Sequence, residues 1–280
     1  MTTPTSLLAG KRGLIMGVAN DRSMAWGIAR TARAQGAELA FTYQGEALKK
    51  RVGPLAESLG AELLLPCDVT DADQLTATFD RLRQSWGRLD FVVHAIAFSD
   101  REQLKGRYVD TTPDNFVSTM LVSCYSFTAV CRHAAAMMTD GGSLLTLSYA
   151  GAERVMPHYN VMGVAKAALE ASVRYLAEDL GRHSVRVNAI SAGPMKTLAA
   201  AGIGDFRYIL HWNQLNSPLR RNITLEEVGN SALYLLSDMS SGVTGEIHHV
   251  DSGYNVIGMV APDAADGIRD LLEGFSSRRT

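Results

Sequence analysis

The sequence contains little cysteine, and its cysteines do not form a pattern typical of a disulfide framework or a zinc site. Among 280 residues there are three, Cys67, Cys124 and Cys131, and no CxxC pair. Disulfide scaffolds are cysteine-dense and secreted, and structural zinc sites use closely spaced pairs. We therefore expect no structural disulfide and no bound metal, and the pattern favours a reducing, cytoplasmic location.

Long apolar runs and a strong net charge are also absent. No stretch approaches the roughly 20 apolar residues that cross a bilayer, and residues 1–8 lack the basic flank and apolar core of a secretory signal. A net charge of −2 argues against nucleic acid or an anionic membrane as the main partner. The 46% hydrophobic and 20% charged residues are instead typical of a globular protein in water.

What the sequence does contain is a regular alternation of short apolar runs and helical patterns. About seven strand-like runs occur, the first at residues 14–16 and the last at residues 246–251. Alternation of this kind predicts a parallel sheet with right-handed crossovers. We predict an α/β fold, a single-domain, Rossmann-type doubly wound parallel sheet over residues 1–260. Residues 261–280 are polar and predicted to form a flexible C-terminal tail.

The first strand ends in a glycine turn, although the G-x-G-x-x-G fingerprint is missing. Gly17 follows residues 14–16, and Ser23 is suited to cap a helix that contains Gly27. Gly17 would let the backbone approach a pyrophosphate, whose charge the helix N-terminus would bind. Without the full fingerprint, an ordinary strand–helix turn explains these residues equally well.

Two further strand ends carry polar residues that suit an adenosine. Gln44 stands where dinucleotide-binding folds usually place an acid, and its amide can bond a ribose hydroxyl. Basic residues 49–51 would tolerate a 2′-phosphate or are simply a solvated helix face, so these residues leave NADH and NADPH open. Asp68 can accept the adenine amino group, although capping the next helix is an alternative.

Tyr159 and Lys166 lie seven residues apart in a strongly helix-forming run. Seven residues make about two turns, so the two side chains leave the same helix face. A tyrosine can donate a hydrogen bond or a proton, and a nearby ammonium lowers the cost of its deprotonated form. On this pair alone, an ordinary amphipathic helix is the simpler interpretation.

A segment at about residues 195–215 follows the sixth strand and changes from alanine and glycine to apolar aromatic residues. A partly apolar segment over the ligand-binding edge is typical of a substrate lid. An ordinary packed pair of helices explains the composition equally well.

Taken together, these separated motifs resemble the short-chain dehydrogenase/reductase superfamily and, within it, the bacterial enoyl-acyl-carrier-protein reductases of fatty-acid synthesis. The resemblance covers about residues 8–257. Most superfamily members place the lysine four residues after the tyrosine, where this chain has Gly163, and a serine where it has Tyr149. Both departures match the enoyl reductases.

The resemblance implies hydride transfer from NADH, with NADPH less favoured, to the β-carbon of a trans-2-enoyl thioester on acyl-carrier protein. It also implies a homotetramer. The implied catalytic residues are Tyr149, Tyr159 and Lys166. The implied substrate-binding residues are Ser99, Tyr149 and Tyr159. The implied cofactor-binding residues are Gly17, Ser23, Met24, Gln44, Asp68, Val69, Ile96, Lys166, Met195, Lys196, Thr197, Leu198 and Ala199.

Two other functions are compatible with a dinucleotide-binding sheet. A short-chain carbonyl reductase is disfavoured because carbonyl reduction in this superfamily uses the four-residue spacing of tyrosine and lysine. A dinucleotide-binding regulator without turnover is disfavoured because the chain keeps both Tyr159 and Lys166.

Overall fold

A computed structural model describes residues 6–197, 206–261 and 264–276, and its centre is a parallel sheet. The strands are β1 (Arg12–Met16), β2 (Glu38–Tyr43), β3 (Leu63–Pro66), β4 (Phe91–His94), β5 (Gly142–Ser148), β6 (Val185–Ala192) and β7 (Ile247–Val250). Their order is β3-β2-β1-β4-β5-β6-β7, and every neighbouring pair is parallel. This confirms the predicted doubly wound α/β sheet of seven strands.

Helices cover both faces of the sheet. They are α1 (Met24–Ala34), α2 (Gly45–Ser58), α3 (Ala72–Trp86), α4 (Pro113–Met120), α5 (Ser126–Ala135), α6 (Asn160–Gly181), α7 (Phe206–Asn216), α8 (Leu225–Leu236) and α9 (Ala265–Ser276). Local sequence signals set where helices begin. At α8, for example, Thr224 and Glu227 form a capping box, which satisfies backbone N–H groups that the first turn leaves unpaired. Between α4 and α5 the chain stays helical through a π-helical segment at Leu121–Tyr125.

The core forms two apolar layers, one on each side of the sheet. The layer beneath α3, α5 and α6 contains Phe79, Phe127 and Leu169, and the layer beneath α1 and α8 contains Ile28 and Val228. Central strands are buried on both faces, which is why they read as continuous apolar runs rather than alternating ones. This packing fixes the carboxyl ends of β1, β4, β5 and β6 side by side at one edge.

The last described segment contains a helix that the sequence analysis did not predict. Within residues 261–280, α9 covers Ala265–Ser276 and contacts α7. Its apolar residues Ile268, Leu271, Leu272 and Phe275 follow the i, i+3, i+4, i+7 spacing of an amphipathic helix. The polar composition hid this spacing, and the flexibility of the segment stays a prediction.

The cysteines of the chain are separate and buried. Cys67, Cys124 and Cys131 are all free thiols, as a reducing environment would leave them. Over the three described ranges, no helix has both the length and the apolar character that a membrane crossing requires.

Candidate active site

Two cavities lie at the carboxyl edge of the sheet and share one wall, residues 95–98, directly after β4. The first, which we call the tyrosine cavity, has a volume of about 310 Å³ and is lined by Tyr149, Tyr159 and Lys166. The second, the glycine-turn cavity, has a volume of about 480 Å³ and is lined by Gly17, Gln44 and Asp68. Ligands of doubly wound sheets bind at this edge.

Most of the predicted site residues line one of these cavities. Those in the tyrosine cavity are Met24, Ile96, Ser99, Tyr149, Tyr159, Lys166, Met195 and Thr197. Those in the glycine-turn cavity are Gly17, Gln44, Asp68, Val69 and Ile96. Ser23 and Lys196 line neither of these two cavities. Leu198 and Ala199 lie outside the described residues, as do the other residues of the predicted lid from 200 to 205.

Tyr159 is the N-cap residue directly before α6, and its ring is held between neighbouring elements. The ring is 7% exposed and meets the ring of Tyr149 edge-on, with centroids 5.1 Å apart. A Cβ on Gly151 would lie 2.3 Å from Cδ1 of Tyr159, and a Cβ on Gly163 would lie 2.8 Å from the Gly151 oxygen. The two glycines therefore let the segment after β5 approach α6 and seat the tyrosine ring.

The hydroxyl of Tyr159 stays protonated at neutral pH. Burial raises its pKa, and the neighbouring Tyr149 and Glu170 raise it further. Burial is the largest of these effects because it penalises the charged phenolate. Tyr159 is consequently a hydrogen-bond donor in this cavity rather than a base.

Lys166 is buried on α6 and lines one side of the tyrosine cavity. Its Nζ donates a hydrogen bond to the Leu147 oxygen at 2.7 Å, which fixes the ammonium at the end of β5. Burial lowers its pKa to about 8, while Cys124 and Glu170 oppose that shift. The group is therefore charged at pH 7 and close to its titration.

The glycine turn packs tightly against the segment that follows β4. Gly17 has φ +98°, and a Cβ there would lie 2.1 Å from the Ala95 oxygen. The Ser23 hydroxyl accepts hydrogen bonds from the Ala19 and Asn20 N–H groups and does not cap α1. The first turn of α1 therefore keeps N–H groups that a pyrophosphate can bind. The Ser23 hydroxyl therefore stabilises the conformation of this turn and does not line the cavity.

At the far end of the glycine-turn cavity, Gln44 and Asp68 form a pair. Nε2 of Gln44 donates to Oδ2 of Asp68 at 2.8 Å. Burial raises the pKa of Asp68, but hydrogen bonds from Thr70 and Gln44 outweigh it and lower the pKa below its ordinary value. The helix-capping alternative for Asp68 is excluded because Asp71 accepts the first-turn N–H groups of α3. Asp68 thus presents a negative charge to the cavity.

Comparisons with known proteins identify the family of the chain. Residues 17–255 match the family model described as enoyl-(acyl carrier protein) reductase. A curated relative, enoyl-[acyl-carrier-protein] reductase [NADH] 1 of Rhizobium meliloti (strain 1021), is 67% identical over 95% of this chain and 98% of its own.

The chain belongs to the enoyl-acyl-carrier-protein reductase family. Its fold matches the crystal structure of the reductase from Anaplasma phagocytophilum in complex with NAD, with 64% identity, a TM-score of 0.88, and coverage of 91% of this chain and 97% of that one. It also matches the Bacillus cereus reductase solved with NADP⁺ and an indole naphthyridinone, with 55% identity, a TM-score of 0.89, and coverage of 90% and 99%. The predicted family, fold class and reductase activity are confirmed, whereas the roles of single residues stay predictions.

Ser99 belongs to a polar network on the wall of the tyrosine cavity. The Thr119 hydroxyl donates to the Ser99 oxygen at 2.9 Å, and Asn115 lies within 3.3 Å of the same hydroxyl. Thr119 and Asn115 were not predicted. Both come from α4, far from Ser99 in sequence, so only the fold reveals the network.

The apolar part of the tyrosine cavity was predicted only in part. Phe98, Leu104, Met162 and Phe206 line it, and of these only Phe206 lies in the predicted lid. No local spacing marks Phe98 or Leu104 in the sequence, whereas the place of Met162, three residues after Tyr159, follows from helical geometry.

Proposed function

We propose that this enoyl reductase uses NADH to reduce the carbon–carbon double bond of a trans-2-enoyl thioester carried by acyl-carrier protein, in the elongation cycle of fatty-acid biosynthesis. The observation that carries the proposal is the convergence of Tyr149, Tyr159 and Lys166 on a largely apolar cavity beside the glycine turn. An apolar cavity suits an acyl chain, and a buried hydroxyl donor suits a thioester oxygen. The names of the curated relatives agree with this chemistry.

The residues of the glycine-turn cavity fit a dinucleotide. The uncapped first turn of α1 suits the pyrophosphate, and the Gln44–Asp68 pair suits the adenosine. Because Asp68 is charged, it disfavours an additional 2′-phosphate nearby, which supports NADH over NADPH. When bound, NADH supplies the hydride.

The residues of the tyrosine cavity then have separate tasks. Tyr159, protonated and buried, donates a hydrogen bond to the thioester oxygen as negative charge develops there. Lys166, held by the Leu147 oxygen, binds the ribose hydroxyls next to the nicotinamide and keeps a positive charge near the oxygen. Tyr149 and Ser99 line the acyl side.

Two substitutions test these roles. Tyr159→Phe removes one hydroxyl, so turnover of crotonyl thioesters falls while NADH affinity, measured by fluorescence titration, is unchanged. Lys166→Ala weakens NADH binding. Tyr175→Phe is the matched control, because Tyr175 lies on the same helix and is 78% exposed. Normal turnover in Tyr159→Phe would refute the role of Tyr159 as hydrogen-bond donor. Normal NADH affinity in Lys166→Ala would refute the role of Lys166 in cofactor binding.

We also propose that the chain forms a homotetramer through α4, the π-helical segment and α6, in the cytoplasm. Val117, Leu121 and Tyr125 recur every four residues and are 64%, 36% and 52% exposed. Such a row of apolar side chains on one helix face marks an interaction surface. Sedimentation equilibrium tests the proposal: Val117→Glu should dissociate the tetramer, and a monomeric wild-type protein would refute it.

The predicted lid at about residues 195–215 completes the proposal, in which its described parts cover the tyrosine cavity. Met195, Thr197 and Phe206 line the cavity from those parts, and residues 198–205 lie outside the described residues. Hydrogen exchange of residues 206–215 with and without NADH tests this cover.

A further inference from the structure

The backbone on both sides of Tyr159 is strained. His158 has φ +57° and Asn160 has φ +38°, so residues in the left-handed region precede and follow the tyrosine. Histidine and asparagine tolerate this region better than most residues that carry a Cβ, but two such residues around a single position are uncommon. Strain of this kind persists only where surrounding contacts hold it, and it concentrates at functional sites.

The contacts that hold Asn160 come from a segment far away in sequence. Its Nδ2 donates to the carbonyl oxygens of Gly106 at 3.2 Å, Leu104 at 3.3 Å and Gln103 at 3.4 Å. One amide nitrogen with two hydrogens therefore serves three carbonyls of a single loop. This fastens residues 103–106 to the start of α6.

The fastened loop contacts the proposed hydrogen-bond donor. The Leu104 side chain is buried, lines the tyrosine cavity and belongs to one apolar cluster with Tyr159 and Met162. On its other side the loop is attached to α4, because Gln103 bonds Thr112. Asn160 thus supplies the attachment on the side of Tyr159.

We propose that Asn160 is a positioning residue that couples the seating of residues 103–106 over the tyrosine cavity to the orientation of the Tyr159 hydroxyl. The strained turn aims the Asn160 amide at the loop, and the loop in return places Leu104 against the tyrosine ring. The catalytic consequence rests on the proposed role of Tyr159, whereas the attachment of the loop does not.

Two variants separate the side chain of Asn160 from its backbone. Asn160→Asp has nearly the same size but presents a carboxylate that cannot donate to the three carbonyls. Asn160→Gly adopts φ +38° without strain and has no amide. Glu102→Gln is the control, because it breaks the exposed Lys105–Glu102 ion pair inside the loop without touching Asn160.

The loop also carries its own probe of detachment. Lys105 and Arg107 are trypsin sites on either side of Gly106, so the rate of cleavage of the native protein reports how firmly the loop is held. Together with the kcat and KM for a crotonyl thioester and the Kd for NADH, this rate distinguishes a positioning role from general destabilisation.

We expect Asn160→Asp and Asn160→Gly to cleave several-fold faster at this loop and to lose about tenfold or more in kcat/KM for the thioester. The Kd for NADH should stay within twofold of wild type, and Glu102→Gln should match wild type throughout. Full activity in Asn160→Gly would show that only the backbone conformation matters and would overturn the proposal. Unchanged cleavage in both variants would also overturn it.

The two proposals fail in different ways. If wild-type protein does not reduce enoyl thioesters, the proposed function fails, while the cleavage rates still report whether Asn160 holds the loop. If wild type is active and Tyr159→Phe is impaired but both Asn160 variants behave as wild type, only the coupling fails.

Discussion

A single methyl group at Gly151 is expected to disable this enzyme. In Gly151→Ala the new Cβ would lie 2.3 Å from Cδ1 and 2.6 Å from Cε1 of Tyr159, whereas ordinary contacts begin at 3.4 Å. The ring must therefore retreat by about 1.1 Å. A displacement of that size at a reacting group costs on the order of 100-fold in rate, and the overpacking itself costs about 1–3 kcal/mol of stability.

The assay is NADH oxidation with a crotonyl thioester, combined with NADH titration and thermal unfolding. We expect kcat/KM for the thioester to fall about 100-fold while the Kd for NADH changes little, because Lys166 and the glycine turn are untouched. Gly181→Ala is the matched control: it is the last residue of α6, and nothing lies within 4 Å of its Cβ. Gly151→Ala kinetics within twofold of wild type would refute the seating of Tyr159 by this glycine.

Three further predictions concern charge and capping. Because burial lowers the pKa of Lys166 to about 8, kcat/KM for NADH should fall as the pH rises through that value and the ammonium is lost; a flat profile up to pH about 9.5 would contradict this. Asp68→Asn should lower the ratio of kcat/KM for NADH to kcat/KM for NADPH by about tenfold, and an unchanged ratio would show that the charge of Asp68 does not set the cofactor preference. Thr224→Ala removes one half of the capping box of α8 and should lower the free energy of unfolding in urea by about 1 kcal/mol, whereas no change would mean that the cap is dispensable.

The sheet and the helices around it could be predicted because their signals are local. Buried parallel strands read as continuous apolar runs, and the residues at their carboxyl ends, a glycine turn at Gly17 and the polar Gln44 and Asp68, marked the ligand-binding edge. The helix α9 has regular apolar spacing, but the charged residues between its apolar positions give the segment a polar composition, which favours a flexible tail.

The chemistry of the site could be predicted only in part. The spacing of Tyr159 and Lys166 placed them on one face, but their protonation depends on burial, which no spacing reveals. The roles of Gly151 and Asn160 depend on contacts with a ring and a loop that only the folded chain brings near. Family resemblance, rather than helix geometry, separated double-bond reduction from carbonyl reduction.

The most direct test of the proposed reaction traces one deuterium atom from NADH into the acyl product. NADH labelled at the transferred position of the nicotinamide C4 is incubated with the enzyme and a trans-2-enoyl thioester, and mass spectrometry locates the label in the product. We expect a saturated acyl thioester with one deuterium at the β-carbon, and we expect Tyr159→Phe to form this product much more slowly. No consumption of the enoyl thioester, together with reduction of a 3-oxoacyl thioester to the alcohol, would contradict it.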